Sequence, residues 1–403
     1  MQTGVLGILC ASAVGAGNPK LAGVYLQVSL AVLTPVMLAI AVCWWYTEAF
    51  WLNPALSTTA PMLAHMAGYY ARVLSLSLPI EMVTGQIRQF FASQMILHPE
   101  ANAAIVALVG NLVLGFILVL GIPGSSFDGF GFTACPWVTA GVDYIQGAAL
   151  IGIYWCGQQL HRPAWDGWAW TTAVTGERVL RFLELYVPAA LATASDFWRV
   201  AVIGLVAARL GPSHVAVFHT SYRIIWIVLI IVSALASAAG IQATTRLGQM
   251  NAKGAKQAAW VGIEMGGAVV AVAGLLVYIK IEWFARIFTS DPALLALFVE
   301  ARLPLVITLV TMNMSVALEK VPYSMGRTRE VFWYGFIASW LFQVPGVYFC
   351  TLHWRADIVG VFSGMAIGYT ALMFIYGTLV INSEWEKHAK EARERSEMPV
   401  EAK

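Results

Sequence analysis

Asp196 and Arg199 stand three residues apart in the apolar stretch LELYVPAALATASDFWRVAVIGLV, a spacing that puts both on one face of a helix. A stretch of that length and character is a membrane span, and two charges left unpaired in lipid would cost roughly 5–7 kcal/mol together. Two chemistries are open. Asp196 and Arg199 either form a buried ion pair that holds helices together, or Asp196 is a carboxylate that takes and releases a cation or a proton. A desolvated aspartate can titrate several units above its usual value of about 3.9. A touching arginine opposes this and keeps the carboxylate ionised. The adjacent pair Glu319 and Lys320 diverges around its helix and is expected to reach two separate partners or the interface. Arg72, Arg88, Arg223, Arg302, Glu81, Asp143, Glu184, Glu264 and Glu300 also fall in or near apolar runs. They require a protein interior or a water-lined cavity, or, near span ends as with Glu184, Arg88 and Glu300, room to snorkel.

Other chemistries find no residues to carry them. The sequence has no GxxxxGK[ST], HExxH or GxSxG motif and no nucleophile–base constellation, so neither ATP-driven transport nor an enzyme is expected, and no cofactor is implied. His214 and His219 are wrongly spaced for one helical face, and Cys10, Cys43, Cys135, Cys156 and Cys350 are scattered without a CxxC pair, so no metal site and no disulfide framework is expected. The formal charge of +2 gives no reason to expect nucleic acid as a partner. No signal peptide is read, since no basic residue precedes Lys20.

The elements that must position these residues are membrane helices. The chain is 59% hydrophobic and 11% charged, more apolar than a soluble core of 403 residues would hold. Its partner is therefore the lipid bilayer. Apolar runs of about 20 residues predict ten spans at roughly 21–46, 60–94, 101–121, 134–157, 182–209, 215–243, 256–280, 293–320, 331–351 and 357–381, and a run at 1–16 that is too short to cross.

These spans repeat. GILCASAVGAGNPKLA, from Gly7 to Ala22, returns as GIQATTRLGQMNAKGA, from Gly240 to Ala255, with seven positions agreeing at a constant offset of 233. In each copy an apolar helix ends at a turn in which Gly is expected to supply left-handed cap geometry and Lys to complement the helix C-terminus. Lysine and arginine are distributed unevenly across the alternating topology. One side holds fourteen, among them Lys20, Arg162, Arg178, Arg181, Lys253 and the tail residues; the other holds only Arg209, Lys280, Arg286 and Arg355. The fourteen-residue side, with the C-terminal tail, is expected in the cytoplasm. Both repeats then enter the membrane with the same polarity. The fold class is an all-α integral membrane protein of two parallel helix bundles related by pseudo-twofold symmetry. The domains expected are an N-terminal bundle over 1–157, an inter-bundle cytoplasmic linker over 158–181, a C-terminal bundle over 182–381 and a charged cytoplasmic tail over 382–403. The linker tryptophans suit the headgroup layer, and the tail reads as a solvated helix.

The residues resemble a known family, the multidrug and toxic compound extrusion (MATE) transporters, in its eukaryotic form. LCASAVGAGNPK is similar to the hallmark at the end of that family's second helix, and FFASQMILHPEA to its fourth-to-fifth-helix signature. Pro188 and the run Ala194 to Trp198 align with a seventh-helix pattern, and the tail fits through Trp385 and the charged helix after it. The resemblance implies a secondary antiporter that exports small organic solutes, xenobiotic or metabolite and cationic in character, in exchange for a proton or sodium ion by alternating access. It carries the acidic position over to Asp196 and makes Asp196, Trp198, Arg199 and Asn313 the candidate substrate- and cation-binding residues. Where bacterial relatives place a tenth-helix acid this chain has Met312 and Asn313, and Glu319-Lys320 replaces a small-residue pair. Plasma membrane and vacuole-like membranes fit equally.

A transport-inactive scaffold or degenerate family member is the competing reading. The offset moves the helix at Leu185 to Arg209 to positions before Met1. The first family helix and the start of the second are therefore expected to be missing, leaving about eleven helices, an incomplete N-terminal bundle and roughly 50 residues upstream.

Overall fold

A computed structural model describes residues 4–53, 61–122 and 124–396, and the described residues are helical with no strand. In chain order the helices are α1 (Val5–Gly15), α2 (Pro19–Trp45), α3 (Thr47–Leu52), α4 (Pro61–Ser75), α5 (Leu78–Ser93), α6 (His98–Leu114), α7 (Cys135–Ala149), α8 (Trp170–Ala173), α9 (Gly176–Ala208), α10 (Pro212–Gly248), α11 (Ala252–Arg286), α12 (Pro292–Glu300), α13 (Arg302–Ser324), α14 (Thr328–Ile337), α15 (Val344–Phe349), α16 (Ile358–Ile381) and α17 (Trp385–Ser396). Eight helical stretches are long and apolar enough to cross a membrane: Pro19–Trp45, His98–Leu120, Gly176–Ala208, Pro212–Gly248, Ala252–Arg286, Arg302–Ser324, Thr328–Trp354 and Ile358–Ile381. The all-α, membrane-spanning class expected from composition is the observed one. Three spans differ from expectation. The run at 134–157 is helical, α7 continuing into a π stretch at Leu150–Gly157, but is not among the eight. The run at 293–320 is two helices, α12 and α13, and only Arg302–Ser324 has the length to cross. The run at 60–94 breaks between α4 and α5, where Pro79 lacks the N–H that would continue the ladder. Carbonyls freed at the break are met locally: Ser75 Oγ donates to Arg72, Ser77 Oγ to Leu74, and the Tyr144 hydroxyl to Leu76.

Among the described residues the chain folds as two compact units, one within 4–10 and 18–182, the other within 11–17 and 183–396. In the first, α2, α4, α5 and α7 pack together and α6 lies on α7. The connection after Trp155 is tied to this unit. Trp155 stacks on His161 at 4.1 Å, Trp165 sits edge-on to both Trp155 and Trp168, and Trp168 stacks on Trp170. The Gln27 side chain on α2 donates to the Gly167 carbonyl and accepts from the Ala169 N–H, while Lys20 pairs with Asp166.

In the second unit, α10, α11, α13 and α16 form the core, with Phe218, Leu305, Leu309, Val361 and Phe362 fully buried. The helix over 328–354 alternates α and π geometry, with π turns at Ala338–Gln343 and Cys350–Trp354. The charged tail helix α17 is not free in solvent as its charge pattern suggests. It buries Trp385, His388, Ala389 and Ala392 against α10 and α11, and Arg393 donates to the Ala16 carbonyl at 2.9 Å. One of its faces is apolar enough to dock.

The repeated turns show which glycines matter. A Cβ on Gly15 would fall far inside contact distance of the Thr245 carbonyl, and one on Gly248 inside that of Ser12. The offset of 233 that aligns Gly15 with Gly248 also aligns Ser12 with Thr245, so the contact is reciprocal. These glycines therefore serve a close helix crossing rather than the cap geometry expected of them. The left-handed position is the next one but one, Gly17 in one copy (φ +81°) and Met250 in the other (φ +60°).

Candidate functional site

α9 carries Ser195, Asp196 and Arg199 on consecutive turns within the second unit. The helical spacing brings Arg199 Nη2 to 3.0 Å from Asp196 Oδ1, as the sequence requires if the two touch. Their environments differ sharply. The Asp196 side chain is 55% accessible while that of Arg199 is 5% accessible, so the carboxylate faces an open space and the guanidinium lies behind it.

Tertiary partners hold the guanidinium in place. Arg199 Nη1 donates to Ser339 Oγ at 2.7 Å, and Nη2 donates to the Tyr369 hydroxyl at 3.2 Å. The guanidinium carbon sits 5.0 Å from the Tyr369 ring centroid, a cation–π distance. Tyr222 on α10 extends the network, its hydroxyl 3.3 Å from that of Tyr369. Two local features make this possible. The π turn at Ala338–Gln343 inserts an extra residue per turn and presents Ser339 to Arg199 and Trp340 Nε1 to Ser195 Oγ at 2.9 Å. On α16, Gly364 and Gly368, four residues apart, let the backbone of 343–347 approach so closely that a Cβ on either would overlap it. Tyr369 follows directly.

Of the other expected site residues, Trp198 is 60% exposed and points away from Arg199's partners, which the same helix turns inward. Asn313 is fully buried on α13, where its amide donates to the Leu309 carbonyl and its Oδ1 accepts no bond among the described residues. The structure thus brings Asp196 and Arg199 together and gathers neither Trp198 nor Asn313 with them through any hydrogen bond. The sequence reading missed Ser339, Tyr369 and Tyr222, and it left Glu319 outside the site. Glu319, on α13, is half-buried and makes no ion pair or hydrogen bond among the described residues. A GxxxG pattern at Gly364 to Gly368 was the one available signal for the close approach of α16. Among the described residues no group of three or more histidine, cysteine or acidic side chains could hold a metal ion.

A chain of apolar membrane-spanning helices with an arginine–carboxylate–tyrosine network in one unit defines an integral membrane protein, whose polar groups within the spans need partners away from lipid. The chain belongs to the MatE family, whose model matches residues 3–117 and 188–349. It is 26% identical over 332 residues to an uncharacterized transporter of Schizosaccharomyces pombe, covering 82% of this chain and 59% of that protein. Over 301 residues it is 26% identical to multidrug and toxin extrusion protein 1 of Xenopus tropicalis, covering 73% of this chain and 49% of the frog protein. The chain therefore spans only about half to three fifths of the length of these two relatives. In fold it is similar to the crystal structure of the eukaryotic MATE transporter AtDTX14, with a TM-score of 0.88 at 20% identity over 98% of this chain and 86% of that one.

Proposed function

We propose that this chain is a secondary antiporter that exports organic cations in exchange for a proton or sodium ion, with Asp196 as the group that meets the cationic solute. One observation carries the reading: within a membrane-spanning unit Asp196 presents a largely accessible carboxylate whose only ion-pair partner among the described residues is buried behind it. Such a carboxylate can add a second, mobile cation on its open side without the cost of creating a new buried charge. The multidrug and toxin extrusion relatives support a small organic solute of broad structure. The excess of lysine and arginine on one side supports a cytoplasmic tail and cytoplasmic turns at Lys20 and Lys253.

A second reading, a transport-inactive scaffold, is favoured by one feature, the Arg199 guanidinium already neutralising Asp196. Reconstituted liposomes separate the two. Ethidium, a lipophilic cation, should move against its gradient when an opposing proton or sodium gradient is imposed, and Asp196→Asn should abolish that movement. Wild-type protein that moves no ethidium under either gradient favours the scaffold.

A further inference from the structure

We propose that Ser396, the last residue of the tail helix α17, is a phosphorylation site, and that a phosphate on it releases α17 from the unit it packs on. This goes beyond the transport reading and takes from it only the cytoplasmic placement of the tail, on the side that holds ATP.

α17 is held by one buried face and by two arginines. Trp385, His388, Ala389, Ala392 and Ser396 recur at helical spacing and are buried, and the helix packs on α10 and α11. Arg393 Nη1 donates to the Ala16 carbonyl and Arg395 Nη2 to the Met325 carbonyl, each at 2.9 Å. Ala16 directly follows α1, and Met325 is the C-cap of α13. Both carbonyls therefore lie at helix C-termini, where the dipole is negative and a guanidinium is favoured. At the other end of the tail, Arg327 Nη1 donates to Ser383 Oγ at 2.9 Å. The tail is a strap across the ends of α1 and α13, fastened there by charge.

Ser396 sits where a phosphate would undo those fastenings. The residue is buried, and its hydroxyl donates to the Ala392 carbonyl at 2.9 Å. A phosphate would bring about two negative charges into the docked face and against the negative end of α17's own dipole, and both placements are unfavourable. Arg393 stands three residues before it on the same helical face, and Arg395 directly precedes it. A guanidinium bonds a phosphate dianion more strongly than it bonds a neutral carbonyl. The modification thus disrupts the docked face and draws the arginines off the helix ends together.

The same residues are what a kinase would read. Arg393-Glu394-Arg395-Ser396 puts arginines three and one residues before a hydroxyl, the pattern taken by kinases that select basic residues ahead of their acceptor. The last turn of a helix has no onward hydrogen bonds, so 393–396 can open without unwinding the rest of α17. In the transfer the Ser396 oxygen bonds to the γ-phosphorus of ATP, the bond to ADP breaks, and the hydroxyl proton passes to the kinase's base.

The test uses the full chain in detergent with Mg-ATP and the catalytic subunit of cyclic-AMP-dependent protein kinase. Peptide mass mapping should find phosphate on Ser396. Trypsin cleavage after Lys387 and Lys390 should then speed up by about tenfold or more, because a docked helix must unwind before a protease can cut it. Ser396→Ala should be cut slowly with or without the kinase, and Ser396→Asp, which needs no kinase, faster than the unmodified wild type. Wild-type protein that takes no phosphate on Ser396, or takes it while its tail is still cut slowly, overturns the proposal. Trypsin added outside intact cells that trims the tail overturns the cytoplasmic placement instead, and the site with it.

Discussion

The spans His98–Leu120 and Thr328–Trp354 correspond at the repeat offset, yet only 6% of the first is buried inside the protein against 33% of the second. Both are apolar and long enough to cross. The second is held against α9 through Ser339 to Arg199 and Trp340 to Ser195, whereas the corresponding residues 105–110 lie in plain α geometry in the first. α6 is tied to a neighbouring helix through Asn102, which donates to the Tyr154 hydroxyl at 2.7 Å near its start, and its buried residues are only Pro99 and Ala103. A membrane span is thus set by its own apolarity. Both spans carry a π stretch toward the far end, at Gly115–Leu120 and at Cys350–Trp354, and only the second adds one at Ala338–Gln343, where Ser339 meets Arg199.

The largest effect should come from removing that partner. Arg199→Ala leaves Asp196 without its cation and Ser339 and Tyr369 without their donor, and should cost about 3 kcal/mol, at the low end for a broken buried pair because the Asp196 side chain is not itself buried. Thermal unfolding in detergent measures it, and an unchanged midpoint would mean the π turn stands without the arginine. Next come Gly15→Ala and Gly248→Ala. Each puts a methyl against backbone that cannot rotate away, so both copies should lose about 2 kcal/mol, read as a drop in unfolding midpoint. A loss in one copy only would break the reciprocity of the crossing.

The turns beside the crossing distinguish the copies further. Asn251 Oδ1 accepts from the Gly254 N–H at 2.8 Å, while Asn18 makes no side-chain cap. Asn251→Ala should therefore cost about 1 kcal/mol and Asn18→Ala close to nothing, as differential scanning fluorimetry of the two variants would show. The smallest effect concerns the connection between the repeats, which has no second copy. Burial against Trp155, reinforced by the Arg162 charge, holds the His161 imidazole below its ordinary range. A folded value below the unfolded one means that its contribution is present above about pH 6.5 and is lost as pH falls through the folded value. The unfolding midpoint of the wild type should fall between pH 7.5 and pH 5 by more than that of His161→Phe; parallel curves would show that the histidine contributes nothing.

Much of the architecture was legible because a bilayer imposes it. Length and apolarity alone give the spans at Pro19–Trp45, Pro212–Gly248 and Ile358–Ile381 to within a few residues. The three-residue spacing puts Asp196 and Arg199 on one helical face within reach of each other, while leaving open whether they touch. The division at 293–320 was not legible because α12 is as apolar as α13, and only the turn at Ala301 ends it.

The sequence by itself determined that this chain lies in a membrane as helices, that it contains a repeat, and that one carboxylate and one arginine share a face. Those follow from short-range rules of period and apolarity. Only the tertiary structure decided that Arg199 is buried while Asp196 is open, and that Ser339, Tyr369 and Tyr222 complete the network. Those depend on how closely α9, α13, α16 and a π turn approach one another. Gly364 and Gly368 permit that approach, and no local pattern along a single helix specifies its outcome.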